Sequence, residues 1–369
     1  MLVIRKEPGY TSSDVVAKLR GILHMSRIGH TGTLDPMAEG VLPVCLGSAT
    51  KLAEFIADRD KEYVARLRLG VTTDTQDLTG QVLMQRSDEE VRRILLGRLA
   101  DAPESRGSAP AGAGLPDTDQ RIYETIAAAA GRFTGEIQQI PPMYSAVWVD
   151  GQRLYALARK GVTVERQPRT VVISGLEILS VELPVVTMRV VCSKGTYIRT
   201  LCEDLGNALG TGGAMEHLLR TRVGQFTLGD ALTLGQVQEI MDCAALGQQA
   251  AGGASEGVCG AQAAASSQAA EQGPAGRGRA IEDHIIPIDA FFADAPAVHV
   301  REEDVRFLQN GNALSAANTA EGQLPHAERI RVYDEQGGFW ALYRYDRARR
   351  RIVPVRMFHE TNSVKSDRK

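Results

Sequence analysis

The chain has 369 residues, of which 43% are hydrophobic and 24% are charged, as in ordinary globular proteins. These proportions exclude wholesale disorder, and a chain of this length is expected to form roughly two to three domains. The 42 Lys and Arg residues are balanced by 45 Asp and Glu residues, so any basic surface for a nucleic acid has to be local.

The five cysteines include no C-x-x-C pair. Their odd number and their spacing favour free thiols in a reducing compartment over a disulfide framework or a zinc site. The amino terminus lacks a signal-peptide pattern, and no apolar run approaches the ~18 residues of a transmembrane helix. We therefore expect a cytoplasmic protein that has no membrane partner and no metal.

Helical and strand patterns follow each other in the first part of the chain. Apolar residues in 13–23 fall on one helical stripe, with Ser12 or Ser13 available as the N-cap. Residues 63–69 alternate between apolar and polar, which predicts a half-buried strand.

The same mixture continues further along the chain. The β-branched runs 171–183 and 185–192 predict two strands. Apolar residues in 196–209 have helical spacing, and Gly210 is placed to end that helix. Strands that follow one another, with helices interspersed, favour the α+β class.

Two stretches are poor in apolar side chains, 102–119 and 244–280. The second contains 13 Ala and 8 Gly among its 37 residues and no aromatic residue. So little apolar bulk cannot offset an ordering cost of about 1–2 kcal/mol per residue. We expect a long low-complexity surface loop at 102–119 and a disordered linker at 244–280.

The C-terminal part is locally basic. Residues 329–369 contain 11 Lys and Arg but only 5 Asp and Glu, and short strand-like runs are separated by Gly and charged turns. This pattern is typical of a small β-rich domain that contacts a phosphate backbone. A solvated surface is the alternative interpretation of the same charges.

The densest group of polar residues is the run Arg27-Ile-Gly-His-Thr-Gly-Thr-Leu-Asp-Pro36. Its glycines permit close backbone approach, and Pro36 restricts the preceding Asp35 to extended geometry. A carboxylate fixed in this way suits attack or proton transfer, although the same residues also suit an ordinary turn. The P-loop pattern is absent, and no His or Cys pair has metal-ligand spacing.

Two further groups of residues could carry chemistry. Lys194-Gly-Thr-Tyr-Ile-Arg199 lies where a predicted strand ends and a helix begins, so Arg199 could face an anion or the solvent. Tyr63 lies on the apolar face of its strand, where packing is the commonest role of a tyrosine.

Four motifs in this order resemble the bacterial TruB-type tRNA pseudouridine-55 synthases. They are G-H-T-G-T-L-D-P at 29–36, K-E-Y at 61–63, P-P-M-Y-S-A at 141–146 and K-G-T-Y-I-R at 194–199. The C-terminal part resembles the PUA-like domain of that family, with an N-G-x-x-L element at 310–314. The resemblance implies the pseudouridine synthase fold, an α+β fold with a mixed, largely antiparallel sheet flanked by helices, followed by a small β-rich PUA-like domain.

The resemblance also implies a function. The chain would isomerise one uridine of the tRNA T-loop, at position 55, to pseudouridine after flipping it out, without a cofactor or metal. Residues 1–243 would form the catalytic domain, 244–280 the linker and 281–369 the RNA-binding PUA-like domain of a monomer. An arm at about 133–169 would clamp the T-arm of the tRNA. Its basic residues are Arg153, Arg159, Lys160, Arg166 and Arg169.

The family's site residues can be carried over one by one. Asp35 matches the essential aspartate, whose carboxylate attacks the ribose C1′ or assists formation of a glycal, two routes that the sequence leaves open. Arg199 matches the active-site arginine that would keep Asp35 ionised. Tyr63 matches the tyrosine that stacks on the flipped base and would take its C5 proton. The substrate-binding residues would be His30, Tyr197, Leu219 and Lys6.

The chain departs from the family pattern at two places. Trp148 stands where the family usually has a lysine, so a phosphate contact is lost or replaced by stacking. Pro8 is displaced by one position from the family's K-P-x-G-x-T-S signature, which affects the role of Lys6. Two alternative functions stay open, a guide-RNA-dependent rRNA pseudouridine synthase and a non-catalytic tRNA-folding factor.

Overall fold

The computed structural model describes residues 1–101, 118–251 and 281–359. Most of the predicted loop at 102–119 and of the predicted linker at 244–280 therefore lies outside the described residues, as do the last ten residues of the chain.

The described residues form strands and helices that we number in chain order. The strands are β1 (Leu2–Lys6), β2 (Ile28–His30), β3 (Glu39–Leu46), β4 (Lys61–Leu69), β5 (Val71–Thr73), β6 (Val82–Gln85), β7 (Gly135–Gln139), β8 (Trp148–Val149), β9 (Gln152–Arg153), β10 (Arg169–Glu182), β11 (Val185–Cys192), β12 (Gly213–Val223), β13 (Phe226–Thr227), β14 (Ala297–Val300), β15 (Ile330–Asp334), β16 (Phe339–Asp346) and β17 (Arg351–Met357). The helices are α1 (Ser12–Ile22), α2 (Ala53–Ala57), α3 (Asp88–Asp101), α4 (Thr118–Gly131), α5 (Leu154–Ala158), α6 (Ile198–Leu209), α7 (Leu234–Ala251) and α8 (Val305–Gln309).

A long mixed sheet forms the body of the molecule. Its strand order is β1-β3-β12-β4-β11-β10-β7, with β2 added to β3 and β13 added to β12. The pairs are antiparallel except for β3 and β12, which run parallel. The expected α+β class with a largely antiparallel sheet is therefore confirmed.

Helices α3, α4 and α6 cover one face of this sheet. Val91, Ile122 and Leu201 from the three helices are buried together with Ala65 of β4 and Val190 of β11. The alternation predicted for 63–69 is confirmed, because the odd-numbered residues of β4 are the buried ones. Tyr63 lies on this face, and α6, which carries Arg199, begins beside the edge strand β7.

The predicted helices are confirmed, with one correction to a cap. Helix α6 ends at Leu209, and Gly210, with a φ of +77°, gives the left-handed cap expected there. Helix α1 is capped by Thr11, not by Ser12 or Ser13. Thr11 is the hydroxyl residue with an acid three positions later, Asp14, so the two side chains form a reciprocal capping box.

Three predicted segment boundaries are corrected by the structure. Helix α7 continues to Ala251, because alanine and glutamine favour helix, so the first eight residues of the predicted linker are helical. Helix α4 already begins at Thr118, inside the predicted loop. The ends of the predicted arm belong to the sheet, since β7 pairs with the start of β10, and 140–168 is the part between those strands.

A second, four-stranded sheet follows in the C-terminal part. Its order is β14-β15-β16-β17, with β14 parallel to β15 and the other pairs antiparallel, which confirms the β-rich C-terminal domain. Phe292 and Phe358 pack with Val41 of the first sheet, and the Lys51 ammonium donates to the carbonyl of Met357 at 2.8 Å.

Among the described residues, no helix is long and apolar enough to cross a bilayer.

Candidate active site

The turn that carries Asp35 is fixed by residues from the first part of the chain. The backbone N–H of Leu34 donates to Ser12 Oγ at 2.9 Å, and that of Gly9 donates to the carbonyl of Pro36 at 2.9 Å. The Asp35 carbonyl accepts from Ala38 at 3.1 Å. These bonds hold the backbone on both sides of Asp35 while its side chain stays 37% exposed.

Lys6 lies beneath this turn. Its ammonium is fully buried and donates to the carbonyls of Glu7 at 3.0 Å and Pro36 at 2.9 Å, and also to that of Ala38. Burial lowers the pKa of Lys6 to about 8, although the carboxylate of Asp35 acts in the opposite direction. The structure thus places Lys6 as a support of the Asp35 turn, with no surface exposed toward a substrate.

Arg199 binds Asp35 through Nε and one terminal nitrogen of its guanidinium. Arg199 Nε lies 2.9 Å from Asp35 Oδ2, and Nη2 donates to Oδ1 at 3.1 Å. The remaining donors reach the carbonyls of Thr75 at 3.1 Å and Tyr144 at 2.9 Å. The structure therefore brings together two predicted catalytic residues that are 164 positions apart in the chain. The bidentate geometry fixes the direction of the carboxylate.

The start of α6 positions Arg199. Gln139, at the end of β7, accepts from the N–H of Tyr197 at 3.0 Å and donates to its carbonyl at 3.2 Å. These two hydrogen bonds from the Gln139 amide fix the backbone of Tyr197, which is the N-cap of the helix. Arg199 follows two residues later and is only 6% exposed. Tyr197 itself is half-buried.

Asp77 is a carboxylate at the site that sequence reasoning missed. Its Oδ2 lies 4.0 Å from Arg199 Nε. Its Oδ1 accepts from the hydroxyl of Thr75 at 2.8 Å and from the N–H of Thr79 at 2.9 Å. Asp77 is thus held by its own loop with one oxygen toward the guanidinium. The only sequence pattern around Asp77 is the polar run T-T-D-T-Q-D-L-T after a strand, and this run predicts an ordinary turn.

Tyr63 and Arg220 face each other across two central strands. Their Cα atoms are register partners in β4 and β12, and both side chains are buried. Arg220 Nε donates to the carbonyl of Val41 at 2.7 Å and Nη2 to that of Gly32 at 3.3 Å. Burial raises the pKa of Tyr63, and the adjacent Arg220 guanidinium opposes that rise. Sequence reasoning missed Arg220, although an arginine on an apolar strand face was a usable signal.

The predicted contact residue Leu219 requires a correction. Leu219 pairs with Val64, so by strand alternation it points to the sheet face opposite Tyr63. Leu218 lies on the same face as Tyr63 and belongs to the same buried cluster. The prediction was one residue off, and a shift of one residue in a strand reverses the face.

His30 lies at the end of β2 and is half-buried. Burial lowers the pKa of its ring, and the charge of Arg220 acts in the same direction, so the ring is neutral at neutral pH. Within the part of the chain that the structure describes, His30 Nδ1 and Ser145 Oγ are buried without a hydrogen-bond partner. An unpaired buried polar atom costs about 1–3 kcal/mol, so a rearrangement that gave either atom a partner would stabilise the site.

The sequence matches known protein families over most of its length. Residues 20–106 and 111–198 match the N-terminal domain of the TruB family pseudouridylate synthases, and residues 199–293 match the C-terminal domain of tRNA pseudouridylate synthase B. The tRNA pseudouridine synthase B of Lachnoclostridium phytofermentans is 40% identical over 366 residues, covering 96% of this chain and 98% of the relative. The chain belongs to the TruB family.

Other comparisons agree with this membership. The tRNA pseudouridine synthase B of Cupriavidus metallidurans is 37% identical to this TruB-family chain over 342 residues, covering 91% of this chain and 87% of the relative. In fold, the chain is similar to a protein in an H/ACA RNP bound to a substrate RNA containing 2′-deoxyuridine. The TM-score is 0.58 at 21% identity, with 98% of this chain and 85% of that chain covered. A chain of a Cbf5-Nop10-Gar1 complex gives the same TM-score at 22% identity.

Among the described residues of the TruB-family chain, no three His, Cys, Asp or Glu side chains form a group able to hold a metal ion. The titratable groups at Asp35 are instead organised as two carboxylates on one arginine, Asp35 and Asp77 on Arg199. The arrangement can hold a partly exposed carboxylate in one direction near a buried tyrosine.

Proposed function

We propose that this protein converts a specific uridine of the tRNA T-loop, at position 55, to pseudouridine. The observation that carries the proposal is the bidentate contact of Arg199 with Asp35 in a chain that belongs to the TruB family. The half-exposed Asp35 carboxylate is open to a substrate on one side and held by a buried cation on the other.

The reaction is an isomerisation that needs no redox partner. The bond between uracil N1 and ribose C1′ breaks, and a bond between C5 and C1′ forms. C5 then loses its proton, and N1 gains one. The protein has to supply a group that acts on the sugar, a place in which the free base turns, and a path for the C5 proton.

Asp35 is the group that acts on the sugar in our proposal. Its carboxylate either attacks C1′ or assists glycal formation, and both routes need an anion at a fixed position. Arg199 supplies that position through two parallel N–H···O contacts. The bonds of Arg199 to Thr75 and Tyr144 support the assignment, because they fix the guanidinium from two other segments.

Tyr63 supports the base in this proposal. Since burial raises its pKa, the phenol is protonated at neutral pH and can stack on the uracil or donate a hydrogen bond to it. It can accept the C5 proton only as the phenolate, which forms when Tyr63 gives its own proton to N1 of the released base, so that the phenol is restored at the end. The adjacent Arg220 is placed to stabilise the phenolate in such a step.

The target uridine has to leave its loop before it can reach Asp35, at a cost of a few kcal/mol. We propose that the arm at 140–168 offsets this cost by binding the T-arm, and that the basic C-terminal β-rich domain, PUA-like in our assignment, binds more distant phosphates. The arm is attached to the site directly, because the carbonyl of Tyr144 accepts from Arg199. His30 and Tyr197 complete the pocket, and no cofactor takes part.

We infer that the enzyme is a monomer of the cytoplasm. The described cysteines Cys45, Cys192, Cys202 and Cys243 are free thiols, as a reducing compartment favours. Sedimentation of the purified chain, alone and with tRNA, tests the monomer assignment.

Tritium release tests the function. With a T-arm RNA that carries tritium at C5 of its uridines, the wild-type protein should release label without a guide RNA, and Asp35→Asn should bind the RNA but release none. Asp58→Asn is the matched control, because Asp58 is an exposed carboxylate that pairs with Lys194 on the surface.

The same assay separates the alternatives. Release that requires an added guide RNA would favour the guide-dependent synthase. Binding without any release by the wild-type protein would favour the folding factor, and turnover by Asp35→Asn would contradict the role of Asp35.

A further inference from the structure

Trp148 is exposed on a short hairpin in the arm. Strands β8 and β9 are joined by Asp150 and Gly151, whose φ values of +49° and +77° suit a two-residue hairpin turn. Trp148 is 61% exposed. Arg153 is its cross-strand partner, and the guanidinium lies 4.9 Å from the ring centroid. An aromatic surface and a positive charge are thus offered together to the solvent.

A second pair of the same kind follows on α5. Tyr155 is 39% exposed, and the Arg159 guanidinium lies 5.5 Å from its ring centroid. Aromatic rings alternating with cations fit a single-stranded nucleic acid, because bases stack on the rings and phosphates pair with the cations. An apolar protein surface is disfavoured as the occupant, since it would have to bury both guanidinium groups without an anion.

The hairpin is connected to the candidate active site by backbone hydrogen bonds. The N–H of Tyr155 donates to the carbonyl of Ser145 at 3.0 Å, and that of Leu154 donates to Val147 at 2.9 Å. The preceding residue, Tyr144, accepts from Arg199 at 2.9 Å. Trp148 is four residues from Tyr144, so the Cα atoms of these two residues are at most about 14 Å apart. This distance corresponds to a few nucleotides of RNA.

We propose that Trp148 stacks on an unpaired base of the substrate RNA near the target uridine, while Arg153 pairs with a neighbouring phosphate. The inference rests on the proposed function for the identity of the RNA. It assigns the exposed ring and its neighbouring guanidinium to a base and a phosphate.

Fluorescence tests the contact directly, because the chain has only two tryptophans. Trp340 is 6% exposed and donates to Asp334 at 2.8 Å inside the C-terminal domain. A Trp340→Phe variant therefore leaves Trp148 as the only indole. Titration of this variant with T-arm RNA at fixed salt should quench its emission with the same midpoint as RNA binding measured by filter retention. Unchanged emission at saturating RNA would overturn the proposal.

Substitutions at the exposed ring give the second readout. Trp148→Phe keeps an aromatic face and should change KM for the RNA less than threefold. Trp148→Leu keeps apolar bulk without a π-face and should raise KM about tenfold, equivalent to about 1.4 kcal/mol, while kcat stays near the wild-type value. Equal KM values for the two variants would also refute stacking.

The two proposals fail in different ways. If wild-type protein releases tritium but RNA leaves the Trp148 emission unchanged, the stacking contact is wrong and the isomerase stands. If RNA quenches Trp148 but no label is released, the RNA contact stands and the isomerase is wrong.

Discussion

Replacing Arg199 with lysine tests how the site holds its carboxylate. The substitution keeps the positive charge and removes the planar fork. In the structure the fork has four acceptors, namely both Asp35 oxygens and the carbonyls of Thr75 and Tyr144. A lysine ammonium cannot reach all of them, because its donors radiate from one nitrogen.

The expected loss follows from these contacts. If two hydrogen bonds to charged groups are lost at about 1.5 kcal/mol each, the rate of the chemical step should fall roughly 100-fold. The carbonyls of Thr75 and Tyr144 also lose a partner, so the thermal midpoint of Arg199→Lys should decrease. RNA affinity should change little, because the side chain is only 6% exposed.

The assay is single-turnover tritium release with enzyme in excess over a labelled T-arm RNA, which measures chemistry and not product release. Arg189→Lys is the matched control, since Arg189 is exposed and pairs with Glu177 on the surface. It should keep the wild-type rate. If Arg199→Lys kept more than half of the wild-type rate, the bidentate contact with Asp35 would not be what sets the rate of the chemical step.

Three further predictions concern the supports of the site. Asp77→Asn removes a charge 4.0 Å from the Arg199 guanidinium. In steady-state assays kcat should fall about tenfold, equivalent to about 1.4 kcal/mol, while KM stays unchanged. A change in KM alone would contradict the positioning role of Asp77. Gly40→Ala would place a Cβ 2.1 Å from the carbonyl oxygen of Arg220, so the thermal midpoint should drop sharply. Gly9→Ala, which has a similar positive φ but open space around it, should lower the midpoint much less, and equal effects would show that backbone strain alone matters. Burial lowers the pKa of Lys6 to about 8, whereas an unfolded lysine titrates near ~10.4. Between these two pH values the unfolded chain therefore binds more protons than the folded chain. Lys6 thus makes the free energy of unfolding rise with pH in this range. Urea unfolding between pH 8 and 10 should therefore show a smaller rise for Lys6→Met than for wild type, and identical slopes would contradict the cause given for the shift.

The residues of the active site differ in how far the sequence could predict them. Asp35 and Arg199 lie in motifs with a distinct residue pattern, so the resemblance named both. The 194–199 motif contains the start of α6, but the contact of the two side chains depends on the order of strands in the sheet, which neither motif contains. Asp77 belongs to a polar turn without such a pattern, and only the tertiary structure places it near Arg199.

The error at Leu219 has a specific cause. The sequence H-L-L-R offers two adjacent leucines, and strand alternation puts one on each face. A bulge between Met215 and His217 shifts the register of β12 against β4, so counting from the start of the strand cannot decide which leucine faces Tyr63. Register is set by pairing with β4, which is distant in sequence.

The boundaries of elements were predictable where a local rule applies. Thr11 could have been chosen over Ser12 as the cap of α1, because only Thr11 has an acid three residues later. The end of α7 was harder to predict, since an alanine-rich composition suits both a helix and a flexible linker.

The most direct test of the central claim is a structure of the enzyme with a T-arm RNA that carries 5-fluorouridine at the target position. Our account predicts that the flipped nucleotide lies against Tyr63, with a carboxylate oxygen of Asp35 bonded to the ribose or within about 3–3.5 Å of C1′ and Arg199 still bound to that carboxylate. A complex in which the target ribose lies remote from Asp35, or in which Arg199 releases Asp35 to bind a phosphate, would contradict it.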